Sequence, residues 1–274
     1  MAETRIEGAG GTSLAVEEAG EGIPVVLLHG LTATRLYVVM GSRALERSGH
    51  RTVAYDARGH GASSPATAGD YTYEALATDL AAVLDGLGID RAVLAGASMG
   101  AHTILRLALD APERVSALVL ITPAHDPATF ADPERLARWD ALSQGLRTGG
   151  VEGFVHAYGE PSVPPAMRET VLTVIRQRLA AHDHLDAVAD ALHAVPRSAP
   201  FAAIEDLGAI GAPTVVLASR DEADPGHPHA IAAAYADAIP GARLLSEEPG
   251  RSPLAWQGGQ LSRVIAEAAA RAGR

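Results

Sequence analysis

The feature that most constrains this chain is an alternation of short apolar runs with longer stretches of helical periodicity. Several runs are apolar throughout, as strands covered on both faces of a sheet are. We predict strands at 13–16, 24–28, 52–55, 92–95, 117–121, 214–218 and 242–245, and a weaker, antiparallel strand near 4–7. Helical patterns at 73–87 and 260–272 complete the alternation. The pattern predicts an α/β fold with a mostly parallel eight-stranded sheet flanked by helices.

One long segment breaks the alternation. Between 125 and 200 we find helical patterns at 133–146, 153–158, 166–180 and 185–193, with the pair Gly149-Gly150 as a turn, and no convincing strand. We predict a helical cap over the carboxyl edge of the sheet, where such folds bind ligands. A helical subdomain with only a packing role is the alternative. The predicted domains are a core of 1–124 and 201–274 and a cap of 125–200.

The sequence Gly96-Ala97-Ser98-Met99-Gly100 joins a predicted strand to a helical run. This is the Gly-x-Ser-x-Gly pattern in the strand-to-helix context that a nucleophile elbow requires. The strained turn needs neighbours without bulk two residues before and after the serine. The N–H of Met99 and the helix dipole could then stabilise an oxyanion. We therefore predict Ser98 as a nucleophile, with a structural turn serine as the alternative.

Two further motifs follow earlier strands. In "VVLLHGLTAT", His29-Gly30 ends a strand, so that the N–H of Leu31 could be the second oxyanion donor. The segment "YDARGHGASS" follows the next strand. With these three motifs in order, the chain resembles the α/β-hydrolase superfamily of esterases, lactonases and haloperoxidase-like enzymes over nearly its whole length outside the cap. The resemblance implies that His29 and His60 support the oxyanion loop and are not bases.

The family's acid follows the strand at 214–218, where the chain has "SRDEADPGHP". Asp224 begins a segment similar to the family's Asp-Pro-x-x-Pro turn, whereas Asp221 lies at the more usual distance from the strand. We favour Asp224 and keep Asp221 as the alternative. The other carboxylate is expected to cap a helix or lie in a loop.

The family's histidine belongs just before the closing helix, and there the chain has Gly250-Arg251-Ser252-Pro253. Arginine cannot replace the histidine, because its guanidinium stays protonated. Loss of the base typically removes about a millionfold in turnover. A base could come from elsewhere, and the candidates we weigh are His125, His227, His102, His182 and His184. We carry His125 and His227 forward as candidate catalytic residues.

Two functions therefore stay open. One is hydrolysis of a small-molecule ester, lactone or related carbonyl substrate by a serine nucleophile with a non-standard base. The other is a non-hydrolytic protein of the same fold, lyase-like or ligand-binding, that holds an anionic ligand near Arg251. Trp256 follows Arg251 closely and is a candidate to line the same cavity.

The amino-acid composition limits which binding partners and which cellular location we expect for the protein. A net charge of −11 argues against nucleic-acid binding, which needs clustered positive charge. Without cysteine there are no disulfides, no thiolate chemistry and no Cys-ligated metal. The acidic N-terminus does not resemble a signal peptide, and no apolar run reaches membrane-spanning length. We expect a cytoplasmic monomer or homodimer that needs no cofactor or metal and has no membrane partner.

Overall fold

The computed structural model of the protein describes residues 2–67, 69–222, 224–248, 256 and 258–272. Its strands form one eight-stranded sheet in the order β1-β2-β4-β3-β5-β6-β7-β8. The strands are β1 (Ala2–Glu7), β2 (Ser13–Ala19), β3 (Ile23–Leu28), β4 (His50–Tyr55), β5 (Ala92–Ala97), β6 (Val115–Ile121), β7 (Thr214–Ala218) and β8 (Arg243–Ser246). Strand β2 pairs antiparallel with β1 and β4, and the other pairs are parallel. The predicted fold class is confirmed.

The helices connect the parallel strands and cover both faces of the sheet. They are α1 (Ala44–Arg47), α2 (Tyr73–Gly86), α3 (Met99–Asp110), α4 (Pro133–Tyr158), α5 (Pro165–Leu179), α6 (Leu185–Ala194), α7 (His229–Ala238) and α8 (Gly258–Ala272). Short 3-10 turns occur at Ala9–Gly11, Arg35–Tyr37, Pro112–Arg114, Val195–Arg197 and Ile204–Ala209. The sequence pattern did not predict helices α1 and α7.

The apolar strands explain why the sheet lies in the middle of the molecule. In β3, Val26 and Leu28 belong to one hydrophobic cluster, whereas Val25 and Leu27 belong to another on the opposite face. Because side chains alternate across a strand, a continuous apolar run can be buried only if helices cover both faces. The same arrangement brings the carboxyl ends of β3, β5, β6 and β7 to one edge.

The segment between β6 and β7 is helical, as predicted. Helix α4 covers both predicted helices, and the turn predicted between them is present: Gly150, with a φ of 59° and a ψ of −147°, is not helical. The two halves pack against each other, since a Cβ on Gly145 would lie 2.5 Å from the carbonyl oxygen of Gly153. Helices α4, α5 and α6 enclose a hydrophobic cluster of their own, with Leu142, Phe154 and Leu192 as members. The division of the chain into core and cap domains stays a prediction.

Candidate active site

Ser98 lies at a sharp turn between β5 and α3. Its φ is 48° and its ψ is −109°, a left-handed conformation that side chains rarely adopt. The Ser98 N–H donates to the carbonyl of Ile121 at 2.9 Å, which ties the turn to the neighbouring strand β6. The pairing with β6 therefore stabilises the strained backbone of Ser98. The turn places the Ser98 side chain at the N-terminus of α3.

The glycines on either side of the turn leave no room for a side chain. A Cβ on Gly96 would lie 2.3 Å from the carbonyl carbon of Gly100. A Cβ on Gly100 would lie 2.5 Å from the carbonyl oxygen of Leu28. Both contacts involve backbone atoms, which cannot move without disturbing the turn and its packing on β3.

The loop after β3 lies beside Ser98. His29 Nδ1 donates to the Gly30 carbonyl at 2.8 Å, while His29 Nε2 accepts from the Ala57 N–H at 2.9 Å. A carbonyl and the next N–H point in opposite directions across a trans peptide. The bond from His29 therefore also fixes the direction of the Leu31 N–H. Leu31 and Met99 line the same cavity as Ser98.

The histidine network behind this loop is buried. His60 Nε2 lies 2.7 Å from the Leu31 carbonyl, and His182 contacts the backbone of Thr32 and Gly61. Burial lowers the pKa of His29 to about 4 and of His182 to about 3. Both rings are therefore neutral at pH 7, and their hydrogen bonds serve the loop rather than Ser98.

Ser98, His227 and Asp224 form a continuous chain of hydrogen bonds. His227 Nε2 lies 3.0 Å from Ser98 Oγ, and His227 Nδ1 lies 2.8 and 2.9 Å from the two carboxylate oxygens of Asp224. An ionised carboxylate can only accept, so Nδ1 carries a proton. In the neutral ring, Nε2 then accepts from the serine hydroxyl. The order serine, imidazole, carboxylate is that of a serine-hydrolase triad.

The loop after β7 carries both the carboxylate and the imidazole. Residues 224 and 227 are three apart, and the His227 N–H donates to the Asp224 carbonyl at 3.1 Å, which closes a turn. Burial alone would raise the pKa of the Asp224 carboxyl, but the neighbouring His227 and Arg178 lower it below its usual value. Asp224 is therefore ionised at neutral pH and can stabilise a protonated His227.

Asp221 has a different position from Asp224. Its carboxylate accepts from the His229 N–H at 2.7 Å, at the first residue of α7. This is a helix-capping contact, which favours a negative charge at a helix N-terminus. The structure therefore separates the two candidate acids into one that contacts the imidazole and one that caps a helix.

The other candidate bases lie apart from the serine oxygen. His125 lines the cavity, but its ring packs against Phe130 and Phe201, and burial with nearby Arg135 lowers its pKa to about 4. His102 Nδ1 lies 3.0 Å from the Tyr73 hydroxyl, and its Nε2 accepts from backbone N–H groups. Both rings are committed to packing or structural hydrogen bonds.

Of the two predicted binding residues near the C-terminus, the structure describes Trp256 alone. Arg251 lies outside the described residues. Trp256 packs against the hydrophobic cluster that contains Leu261, and its indole N–H donates to the Ala218 carbonyl at 3.2 Å. The structure therefore does not bring Trp256 to the cavity that contains Ser98.

A cavity of about 620 Å³ opens in front of Ser98. Its floor is formed by the carboxyl edge of the sheet, and its walls by α4, α5 and the segment after α6. Sequence reasoning missed three arginines in these walls, Arg135, Arg138 and Arg178. Helical periodicity could not identify them, because an arginine on an amphipathic helix is ordinarily on its solvent-facing side.

The described ranges contain neither a metal-binding cluster nor a membrane-spanning helix. No group of three or more His, Asp or Glu side chains there is arranged to hold a metal ion. No helix there is sufficiently long and apolar to span a bilayer.

Residues 23–164 match the family model for the α/β hydrolase fold. A putative carbamate hydrolase RutD of Variovorax paradoxus is 32% identical over 214 residues, covering 76% of this chain and 77% of the relative. A 2-hydroxy-6-oxononadienedioate/2-hydroxy-6-oxononatrienedioate hydrolase of Pseudomonas putida is 30% identical, covering 79% and 77%. The solved structure of a thermophilic esterase from Thermogutta terrifontis superimposes with a TM-score of 0.81 and 26% identity, covering 99% of both chains.

Proposed function

The chain belongs to the α/β hydrolase fold family, and within it we propose a serine hydrolase that cleaves an ester, lactone or related carbonyl bond of a small molecule. Ser98 is the nucleophile, His227 the base and Asp224 the carboxylate that orients the base. The N–H groups of Met99 and Leu31 form the oxyanion hole. The relatives named as hydrolases and the esterase of similar structure support this reaction class.

The observation that carries the proposal is the 3.0 Å contact between His227 Nε2 and Ser98 Oγ. A serine without a base is a poor nucleophile at neutral pH, and Arg251 at the family's histidine position cannot supply one. His227 meets the geometric requirement for a general base, and its second nitrogen faces a carboxylate. The loop after β7 thus provides both the imidazole that contacts Ser98 and the carboxylate that contacts this imidazole.

Each step of the reaction has a group to perform it. His227 takes the hydroxyl proton as Ser98 Oγ attacks the carbonyl carbon, and the negative charge on the carbonyl oxygen is held by the Met99 and Leu31 N–H groups. The protonated imidazole then gives its proton to the departing alkoxide, leaving an acyl-serine. A water molecule repeats the sequence with His227 as its base, releasing the acid and restoring the serine.

The helical segment 125–200 is the cap of this enzyme in our proposal. Its residues Trp139, Leu142 and Ile175 line the cavity in front of Ser98, which supports a role in substrate selection. Such walls exclude water from the reacting carbonyl and shape the space for the acyl and alcohol groups.

A fluorophosphonate probe tests the activation of the serine. We expect it to label the wild-type protein at Ser98 and to label neither Ser98→Ala nor His227→Ala, since an unactivated serine does not react. Hydrolysis of 4-nitrophenyl esters should disappear in the same two variants. Equal labelling of wild type and His227→Ala would contradict the role of His227 as the base for Ser98.

The non-hydrolytic alternative depended on the absence of a base. His227 supplies one, which favours hydrolysis. The substitution Arg251→His, which creates the family's usual histidine, discriminates between them. We expect it to change ester turnover little if His227 is the base, whereas activity appearing only in Arg251→His would favour the binding protein.

A further inference from the structure

The cavity in front of Ser98 is positively charged, although the chain as a whole carries −11. Among the described residues, its lining includes three arginines, Arg135, Arg138 and Arg178, and one carboxylate, Asp224. Asp224 is already hydrogen-bonded to His227. Three positive charges and one negative charge leave the lining at +2. A cationic cavity in an acidic protein attracts anions and repels cations.

Arg178 lies deeper in the protein than Arg135 and the exposed Arg138. Its guanidinium lies over the Tyr37 ring at 5.5 Å from the centroid, and its Nε is buried without a hydrogen-bond partner. Within the described residues no carboxylate lies within salt-bridge distance of it. Burial lowers the pKa of Arg178, while nearby Tyr37 and Asp224 raise it, and the guanidinium stays protonated at neutral pH. Asp224 does not pair with Arg178, because its carboxylate oxygens are hydrogen-bonded to His227.

The arginine two residues earlier on the same helix shows the contrast. Arg176 also lies on α5, but it is directed to the surface and contacts both carboxylate oxygens of Glu152 at 2.8 and 3.1 Å. Arg135 has no salt bridge to another described residue either, and its Nη1 donates to the carbonyls of Phe130 and Pro196. The unpaired arginines therefore lie on the cavity side, whereas the surface arginine is paired.

Removing an unpaired charge from water is costly, and such a group is normally compensated by an ion of opposite sign. The missing partner of Arg178 is most simply a ligand, because the side chain lines the cavity that contains the nucleophile. A guanidinium binds a carboxylate through two parallel hydrogen bonds. Apolar side chains of the same helix, Val171, Val174 and Ile175, line the adjoining wall.

We infer that the substrate is an ester or lactone whose acyl part carries a free carboxylate, and that Arg178 binds this carboxylate while an apolar chain contacts the wall of α5. The inference rests on the proposed hydrolase function, since it names the substrate class of the same site. It assigns Arg178 as a specificity-determining residue.

A pair of substrates that differ only at the end of the acyl chain tests it. Mono-4-nitrophenyl glutarate ends in a carboxylate, and 4-nitrophenyl pentanoate has the same chain length and ends in a methyl group. We expect wild type to prefer the glutarate ester in kcat/KM. The ratio of the two values should fall about 10- to 100-fold in Arg178→Gln, the loss expected for charge-assisted hydrogen bonds.

Arg176→Gln is the matched control, because it removes the same charge from the same helix outside the cavity. It should leave the ratio within about twofold of wild type, as expected for an exposed ion pair. Arg178→Lys, which keeps the charge but loses the two-pronged contact, should retain part of the preference. Circular dichroism checks that each variant is folded. An unchanged ratio in Arg178→Gln, or equal losses in Arg178→Gln and Arg176→Gln, would overturn the inference.

A binding measurement separates this inference from the proposed reaction. Ser98→Ala, with and without Arg178→Gln, is titrated calorimetrically with monomethyl glutarate. Binding to Ser98→Ala that depends on Arg178, together with a wild-type protein that hydrolyses neither nitrophenyl ester, would support the anion site and contradict the hydrolase. Hydrolysis of the pentanoate ester that depends on Ser98, with no effect of Arg178 on binding or on the ratio, would support the hydrolase and contradict the anion site.

Discussion

The turn after β5 and the loop after β7 both end at the same edge of the sheet, but their geometry has different origins. The turn is encoded by five consecutive residues, in which glycines at 96 and 100 make room for a strained Ser98 and for close packing on Leu28 of β3. The loop brings Asp224 and His227 to a serine 129 residues away from the imidazole. A nucleophile in such a turn has one possible position, whereas any loop that ends beside it can supply an imidazole.

The largest expected effect comes from breaking the contact between the two regions. Ser98→Ala and His227→Ala should each lower kcat about 10⁴- to 10⁶-fold, since either change removes the activated nucleophile. Ester hydrolysis under steady-state conditions measures this. His229→Gln is the control, because His229 begins the helix that follows the same loop and contacts Ser246 instead of Ser98. A loss in His229→Gln as large as in His227→Ala would show that only the shape of the loop matters.

The two aspartates of the loop after β7 sharpen the comparison. Asp224→Asn should lower kcat about 10⁴-fold, because the amide no longer stabilises the protonated imidazole or its tautomer. Asp221→Asn should leave kcat near wild type and cost about 1 kcal/mol or less of the free energy of unfolding, as a changed helix cap does. Kinetics and urea denaturation of both variants distinguish the roles. The reverse pattern would assign the acid to Asp221.

The steric origin of the turn after β5 predicts a stability effect. Gly100→Ala should lower the free energy of unfolding by about 3 kcal/mol, because its Cβ would meet backbone atoms of Leu28. Gly149→Ala is the control, since a Cβ there has no neighbour within 4 Å, and its effect should stay below about 1 kcal/mol. Chemical denaturation measures both. Similar stabilities would contradict the steric account.

The buried histidines predict a smaller effect that depends on pH. In the folded state the pKa of His29 is about 4 and that of His182 about 3, while an unfolded chain has values near 6.5. Between pH 6.5 and 4 the unfolded state therefore binds more protons, so stability falls as the pH is lowered and is fully present above about pH 6.5.

Each buried histidine should contribute roughly 2 kcal/mol to this loss between pH 7 and 4.5. Denaturation curves across that range measure it. His182→Gln should flatten the pH dependence, because it removes one of the two buried rings. Identical pH dependence in wild type and His182→Gln would contradict the assignment of a buried neutral ring.

Much of the fold was predictable because it depends on local pattern. The strand at 214–218 has the predicted bounds, and that at 92–95 extends to Ala97 because the turn keeps its pairing with β6. The two helices predicted on either side of Gly149-Gly150 are present, and Gly150 breaks the helical backbone between them. The candidate base could not be chosen in this way. His227 and His125 both follow strands that end at the same edge, but in the structure His227 lies 3.0 Å from Ser98 Oγ whereas His125 packs against Phe201.

By itself the sequence determined the alternation of strands and helices, the strained turn at Ser98 and the absence of a histidine at the family's usual position. Each depends on residues close together in the chain, whose sterics and periodicity act within one or two elements. Only the tertiary structure decided that His227 reaches Ser98, that Asp221 caps a helix, and that Arg178 lines the cavity with no salt bridge to another described residue. These contacts join segments far apart in sequence, and no local preference specifies which side chains meet there.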